Sequence, residues 1–359
     1  MQFLEKFYMW AIQAGMPVVY LYVLLCNNVF LNVAAEDADG LEKIGNQLLS
    51  PVHYVFAGKS ARAEDYELEQ RFTYEEGFGW KTVGSSIALP VSLVLGSAVK
   101  GVSYFSADTR ERHRKIIEKI HSTTTASNAL LYEKMGLPLM SLENAELLPP
   151  PQHQRRPGDE KTLHLEKEAL KEVAKLFEEH NIPFWADCGT LLGAYRYGGA
   201  IPWDNDIDIA VLAPDFKNIM HVLNALDPEK YVVIDWSGRT RPETFVVVCI
   251  KETGSRIDIG HFAINPDKKE LTLVLSNEEN MFLPEIWKKI ERRFVIPTPY
   301  EVIFPLKKTS FDGIEIPVPN QVELYLQSRY GQDLRPAKVF DPITLQYEKD
   351  LSHPYWNNF

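Results

Sequence analysis

Over residues 163–180 the apolar positions Leu163, Ala169, Leu170, Val173, Leu176 and Phe177 recur at helical spacing, and Asn181 and Pro183 follow them. That pattern predicts an amphipathic helix with a stop at its end. Phe184-Trp185-Ala186 then reads as a short strand entering a tight turn, Gly189-Thr190-Leu191-Leu192-Gly193, and a short helix. At Asp206 the period changes: the polar residues Asp206 and Asp208 alternate with Ile207, Ile209 and Val211, which gives a strand with both carboxylates on one face. A helix is expected over 215–226, burying Phe216, Ile219, Met220, Leu223 and Leu226, with strands near 231–234 and 244–250. One more strand, Arg256-Ile257-Asp258-Ile259-Gly260, carries a third acid between two apolar residues.

The first third of the chain has a different pattern. No charge occurs from Phe7 to Ala35, and residues 16–26 are continuously apolar. An anchor over 8–35, a signal peptide ending at Val33-Ala34-Ala35, and a buried helix all satisfy that stretch. A second apolar segment, 82–106, is interrupted by Gly, Ser and Pro90, and Arg110-Glu111-Arg112-His113-Arg114-Lys115 follows it. The connection over 36–76 is rich in acids, so the positive-inside rule places the N-terminus and everything after Arg110 in the cytoplasm if the two segments form a membrane hairpin. The alternative is a helix packed on the catalytic domain. Residues 147–160, with Pro149-Pro150-Pro151, read as a linker between an N-terminal region, 1–146, and a catalytic domain, 161–359.

Composition narrows the partners. A formal charge of -11 excludes a broad basic face for nucleic acid. The cysteines, Cys26, Cys188 and Cys249, are far apart and lack zinc or redox spacing, which suits a reducing compartment. Cys188 reads as a small thiol filling a turn rather than as a nucleophile.

Two aspartates one residue apart on a strand repel each other unless a cation lies between them. Magnesium, or manganese in its place, takes oxygen ligands and is commonly held by one or two carboxylates plus substrate phosphates. Asp206, Asp208 and Asp258 are therefore the expected metal ligands and catalytic acids, with Asp258 activating the acceptor hydroxyl. Gly189 and Thr190 form the expected phosphate cradle, Gly193, Trp203 and Asp204 are counted with the cofactor-binding residues, and Arg196 is the cation expected to steady transition-state charge. A Gly-Thr turn, an Asp-x-Asp strand and a later lone Asp, in that order, predict an α+β fold. Its expected form is a nucleotidyltransferase-like mixed sheet flanked by helices, behind a mainly helical, membrane-associated N-terminal region.

The stretch from Asp187 to Ile209 resembles the LicD family, which includes bacterial phosphocholine transferases and eukaryotic fukutin-related proteins. The likeness lies in the Gly189-Thr190-Leu191-Leu192-Gly193 turn, Arg196 shortly after it, and Ile201-Pro202-Trp203-Asp204 leading into the paired acids. Phe304-Pro305-Leu306, then Phe311-Asp312-Gly313-Ile314-Glu315-Ile316-Pro317-Val318-Pro319-Asn320 and Tyr325-Leu326, resemble the family's closing motif. Cys188 stands where glycine is frequent, Tyr197 where histidine is, and Asn205 replaces a middle acid. The resemblance implies transfer of a phosphorylated alcohol, phosphocholine-like or ribitol phosphate-like, from a cytidine diphosphate-activated donor to a hydroxyl of a glycan or glycolipid. Two other readings use the same residues: a nucleotidyltransferase acting on a nucleoside triphosphate, and a silent membrane-bound binding module.

Overall fold

The computed structural model describes residues 38, 40–57, 80–122, 127–145, 160–237, 243–275 and 285–358. The apolar stretch expected at 8–35, much of the acidic connection at 36–76 and all but the last residue of the linker at 147–160 lie outside them. The chain divides into two compact units, the second made of Ala126–Val233, Thr244–Leu275 and Phe282–Phe359.

In the first unit, helix α1 (Gly40–Ala57) packs antiparallel against α2 (Trp80–Ser103), and α3 (Ala107–Ser122) follows. Glycines permit the close crossing: a Cβ on Gly45 would lie 2.9 Å from the Lys100 backbone nitrogen, and one on Gly96 would lie 2.7 Å from the Leu49 side chain. Lys100 is fully buried here, with Nζ donating to Asn46 Oδ1 at 2.6 Å, while Arg112 pairs with Glu42 at 2.7 Å. Within α2 the segment Val83–Ser103 is long and apolar enough to cross a membrane, and Ile87, Val91, Val94 and Leu95 are exposed on it.

The second unit holds the sheet. It opens with α4 (Ala129–Lys134) and β1 (Met140–Asn144), so residues 127–145 belong with the sheet rather than with the helical region upstream. The reason is a long-range pairing: β1 runs parallel to β9 (Leu306–Phe311), which forms a hairpin with β10 (Ile314–Val318). Asp312 and Gly313, both in left-handed backbone with φ of 50° and 81°, make the two-residue turn that this hairpin requires.

Helix α5 (Glu160–Glu179) forms on the predicted stripe. It buries Ala169, Leu170, Val173 and Phe177 against the main sheet and ends where Asn181 takes φ 53°. Each large apolar side chain buried this way contributes about 1.5–3 kcal/mol, which offsets the marginal stability of an isolated helix of this length. Then follow β2 (Phe184–Ala186), α6 (Cys188–Tyr197), β3 (Asp206–Leu212), α7 (Phe216–Val222), β4 (Tyr231–Asp235), β5 (Phe245–Ile250), β6 (Arg256–Asn265) and β7 (Glu270–Leu273). The helix expected over 215–226 is shorter than its apolar pattern, because single 3-10 turns flank α7 on both sides. After α8 (Glu285–Arg292) come β8 (Thr298–Pro299), α9 (Tyr300–Ile303), and, beyond the β9–β10 hairpin, α10 (Val322–Tyr330), β11 (Lys338–Asp341) and β12 (Gln346–Lys349).

The main sheet has seven strands in the order β2-β3-β6-β5-β4, with β7 paired to β6 and β8 to β7. It is mixed: β3 and β6 are parallel, and β2–β3, β5–β6 and β6–β7 are antiparallel. This is the α+β architecture, a mixed sheet with helices, expected from the sequence. Ile207, Ile209, Ile257 and Ile259 point into the core, which turns the intervening polar residues of both strands to the opposite face.

Candidate active site

The register of β3 and β6 assembles the acids. Asp208 is paired with Asp258 and Asp206 with Arg256, and register partners in a parallel pair point to the same face. Asp206, Asp208, Asp258 and Arg256 therefore share one patch, as the expected acid triad requires. Arg256 Nε lies 2.9 Å from Asp258 Oδ1 and 3.0 Å from Oδ2, and Nη2 lies 3.4 Å from Asp206 Oδ2.

The turn before α6 closes over Asp208 from the other side. The Asp187 amide donates to the Asp208 carbonyl at 3.1 Å, the Asp208 amide donates to Thr190 Oγ1 at 2.7 Å, and the Gly189 amide donates to the Asp208 carboxylate at 3.1 Å. Glycine at 189 lets the acids approach closely: a Cβ there would lie 2.5 Å from Asp204 Oδ2 and 3.3 Å from Asp208 Oδ2. Thr190 is buried, and its oxygen is engaged in fixing β3 to α6. Cys188 takes φ 41°, a backbone region that glycine occupies more easily, and its thiol is pushed up by burial and by Asp187 and Asp208. A protonated thiol at this turn is not a nucleophile.

Asp204 joins the acids. Its carboxyl is driven well above the usual range by burial and then by Asp206, and that of Asp208 by burial and then by Asp206 and Asp258. Asp258 rises to about 6 through burial, while Arg256 pulls it the other way. Four clustered carboxyl groups resist ionising together unless a cation joins them, and their hard oxygen donors suit a divalent cation. Among the described residues, however, no three acids are already closed into a ligand set.

Arg196 is elsewhere. Its guanidinium is buried and donates to the carbonyls of Leu334 and, at 2.6 Å, of Arg335, so it ties the segment after α10 to α6, and the cation that the fold brings to the acids is Arg256. Gly193 serves packing: a Cβ there would lie 2.5 Å from the Gly199 carbonyl oxygen. Trp203 is partly buried at ring distances of 6.3 Å from Tyr197 and 4.7 Å from Tyr347 of β12, with Lys338 Nζ 5.4 Å from its ring. The closing motif acts on the same turn and loop. Tyr325 donates to Asp187 at 2.7 Å, and Asp312 accepts from the Ala200 amide at 2.7 Å. Arg256, Asp187, Tyr325 and Asp312 went unassigned in the sequence, although the parity of residues 256 and 258 on one strand already places Arg256 beside Asp258.

Residues 181–321 match the model of the LicD/FKTN/FKRP nucleotidyltransferase domain. This stretch resembles a LicD domain. It contains the turn, all four acids, Arg256 and the β9–β10 hairpin, while Tyr325 lies just beyond it. A Rickettsia prowazekii protein of uncharacterised function is 27% identical over 179 residues, covering 49% of this chain and 58% of its own. Ribitol-5-phosphate transferase FKTN of Mus musculus is 24% identical over 176 residues, 49% of this chain and 34% of its own. Ribitol 5-phosphate transferase FKRP of Homo sapiens is 23% identical over 170 residues, 46% of this chain and 31% of its own. The chain spans just over half the length of the Rickettsia relative and about a third of the two transferases. A lincosamide antibiotic adenylyltransferase bound to lincomycin aligns at 18% identity and a TM-score of 0.29, over 46% of this chain and 87% of its own. That likeness carries neither fold nor function.

Proposed function

We propose that the protein is a metal-dependent transferase that moves a phosphorylated alcohol from a cytidine diphosphate-activated donor to a hydroxyl of a glycoconjugate. The observation that carries this reading is the pairing of Asp208 with Asp258 across β3 and β6, on one face with Asp206 and beside the Gly189 turn. Two of the relatives are named ribitol-phosphate transferases, which favours ribitol phosphate over phosphocholine as the group moved.

Asp206, Asp208 and Asp258 would hold magnesium or manganese. Bound there, the ion would neutralise the donor diphosphate and make the acceptor hydroxyl easier to deprotonate. Asp258, paired with Asp208 across the two strands, is the acid placed to help activate that hydroxyl. Gly189 keeps the backbone open to the phosphates, and an in-line attack then needs no covalent intermediate on the protein. Exposed Ile87, Val91 and Val94 on α2 support association with a membrane, where a glycolipid acceptor would be met.

Purified protein given cytidine diphosphate-ribitol and magnesium should release cytidine monophosphate, and Asp208→Ala should abolish the release. Pyrophosphate released from a nucleoside triphosphate instead would identify a nucleotidyltransferase. Release undiminished in Asp208→Ala would remove the assigned mechanism.

A further inference from the structure

Arg256 occupies the oxygens that a metal would need. Its guanidinium spans Asp258, with Nε 2.9 and 3.0 Å from the two carboxylate oxygens, and reaches Asp206 Oδ2 at 3.4 Å. The two contacts are unequal: that to Asp258 is within ordinary ion-pair distance, and that to Asp206 is long. Exposure is unequal as well. The Arg256 side chain is 38% exposed, against 12% for Asp258 and 23% for Asp206, so of the three side chains it has the most access to solvent. The arginine, with the longer side chain and more rotatable bonds, is the partner better able to turn away when a cation arrives.

We infer that Arg256 is an internal counter-ion that competes with the divalent cation for Asp206 and Asp258 and, once displaced, is free to grip the donor's diphosphate. This rests on the reading of Asp206, Asp208 and Asp258 as metal ligands. Before metal arrives, one guanidinium holds together carboxylates that would otherwise repel each other. When it is released, a planar fork of N–H donors remains tethered beside the place where two phosphates must sit, and arginine matches phosphate in that geometry where lysine does not. Metal binding therefore frees a donor-binding group, and occupancy of that group by the donor disfavours its return to the acids. Each ligand must raise the affinity of the other by the same factor.

Binding of Mn2+ to the full-length protein, followed through the electron paramagnetic resonance of the free ion with and without cytidine diphosphate, tests this without any turnover. Without nucleotide, Arg256→Gln should bind Mn2+ roughly tenfold more tightly than the parent, at the lower end of usual coupling between sites. With nucleotide, the enhancement seen in the parent should shrink. Arg256→Lys, which keeps the charge and loses the fork, should lose the nucleotide enhancement too, and serves alone if the glutamine variant does not fold. Equal or weaker Mn2+ binding by Arg256→Gln, or full nucleotide enhancement in Arg256→Lys, overturns the inference while leaving the metal reading intact. If Asp208→Asn binds Mn2+ as well as the parent does, the metal reading itself falls, and this inference with it.

Discussion

The hydroxyl of Tyr325 donates a 2.7 Å hydrogen bond to the carboxylate of Asp187, across 138 residues of sequence, with both groups buried. Asp187 is the residue whose amide holds the Asp208 carbonyl and behind which α6 begins. A tyrosine in the closing motif thus fixes the turn that frames the acids. Removing a buried hydrogen bond to a carboxyl group costs about 2 kcal/mol. Tyr325→Phe should lower stability in urea by about that amount and reduce cytidine monophosphate release more than tenfold when compared at equal folded fraction.

The two arginines separate structure from chemistry. Arg196→Met leaves the buried carbonyls of Leu334 and Arg335 without their donor and should cost about 2–3 kcal/mol in stability while changing donor affinity little. Arg256→Gln, which leaves the clustered acids without their counter-ion, should also lower stability in the absence of metal, but unlike Arg196→Met it should bring a large loss of donor affinity in the presence of metal. Melting curves and nucleotide binding measured on the same two variants decide it.

Gly189→Ala forces a methyl group to within 2.5 Å of the Asp204 carboxylate and 3.3 Å of that of Asp208. The Asp204 side chain can rotate away, so the variant should fold with a loss of about 1 kcal/mol or less, within the range of ordinary small substitutions. Metal-dependent binding of the donor should fall at least tenfold, because the displaced carboxylate and the new methyl occupy the phosphate approach. Calorimetric titration with cytidine diphosphate and magnesium reads this directly.

His261 gives the fold a pH dependence independent of the acids. It is buried on the core side of β6 against Phe216, at a ring distance of 5.1 Å, and burial lowers its pKa from 6.5 to about 4 despite backbone contacts with Thr244 and Ile259. The unfolded chain therefore binds a proton at pH values where the folded chain does not. The folded state keeps full stability above pH 6.5, loses it progressively as pH falls, and by pH 4 has lost about 3 kcal/mol on this account. His261→Phe should flatten that part of the stability curve between pH 6.5 and 4, as measured by urea unfolding at a series of pH values.

Period-two alternation made β3 and the start of β6 legible in the sequence, because strand parity is a local property of residues 206–211 and 256–260. The helical stripe of α5 and its stop at Asn181 were legible for the same reason. What could not be read locally was which side chain meets which across the fold. The target of Arg196 lies 138 residues downstream, and so does the partner of Asp187; β1 finds its place only through β9, which is why a proline-rich stretch marked a boundary that the compact unit does not respect. Asp204, counted from sequence with the cofactor-binding residues, belongs to the acid cluster because the turn at Gly189 folds back onto it.

Crystals soaked in Mn2+ and cytidine diphosphate, with data collected at the manganese absorption edge, test the central claim most directly. An anomalous peak within coordination distance of Asp208 and Asp258, with the Arg256 guanidinium moved off Asp206, is the predicted result. Acids still bridged by Arg256, with no peak among them at saturating manganese, would contradict it.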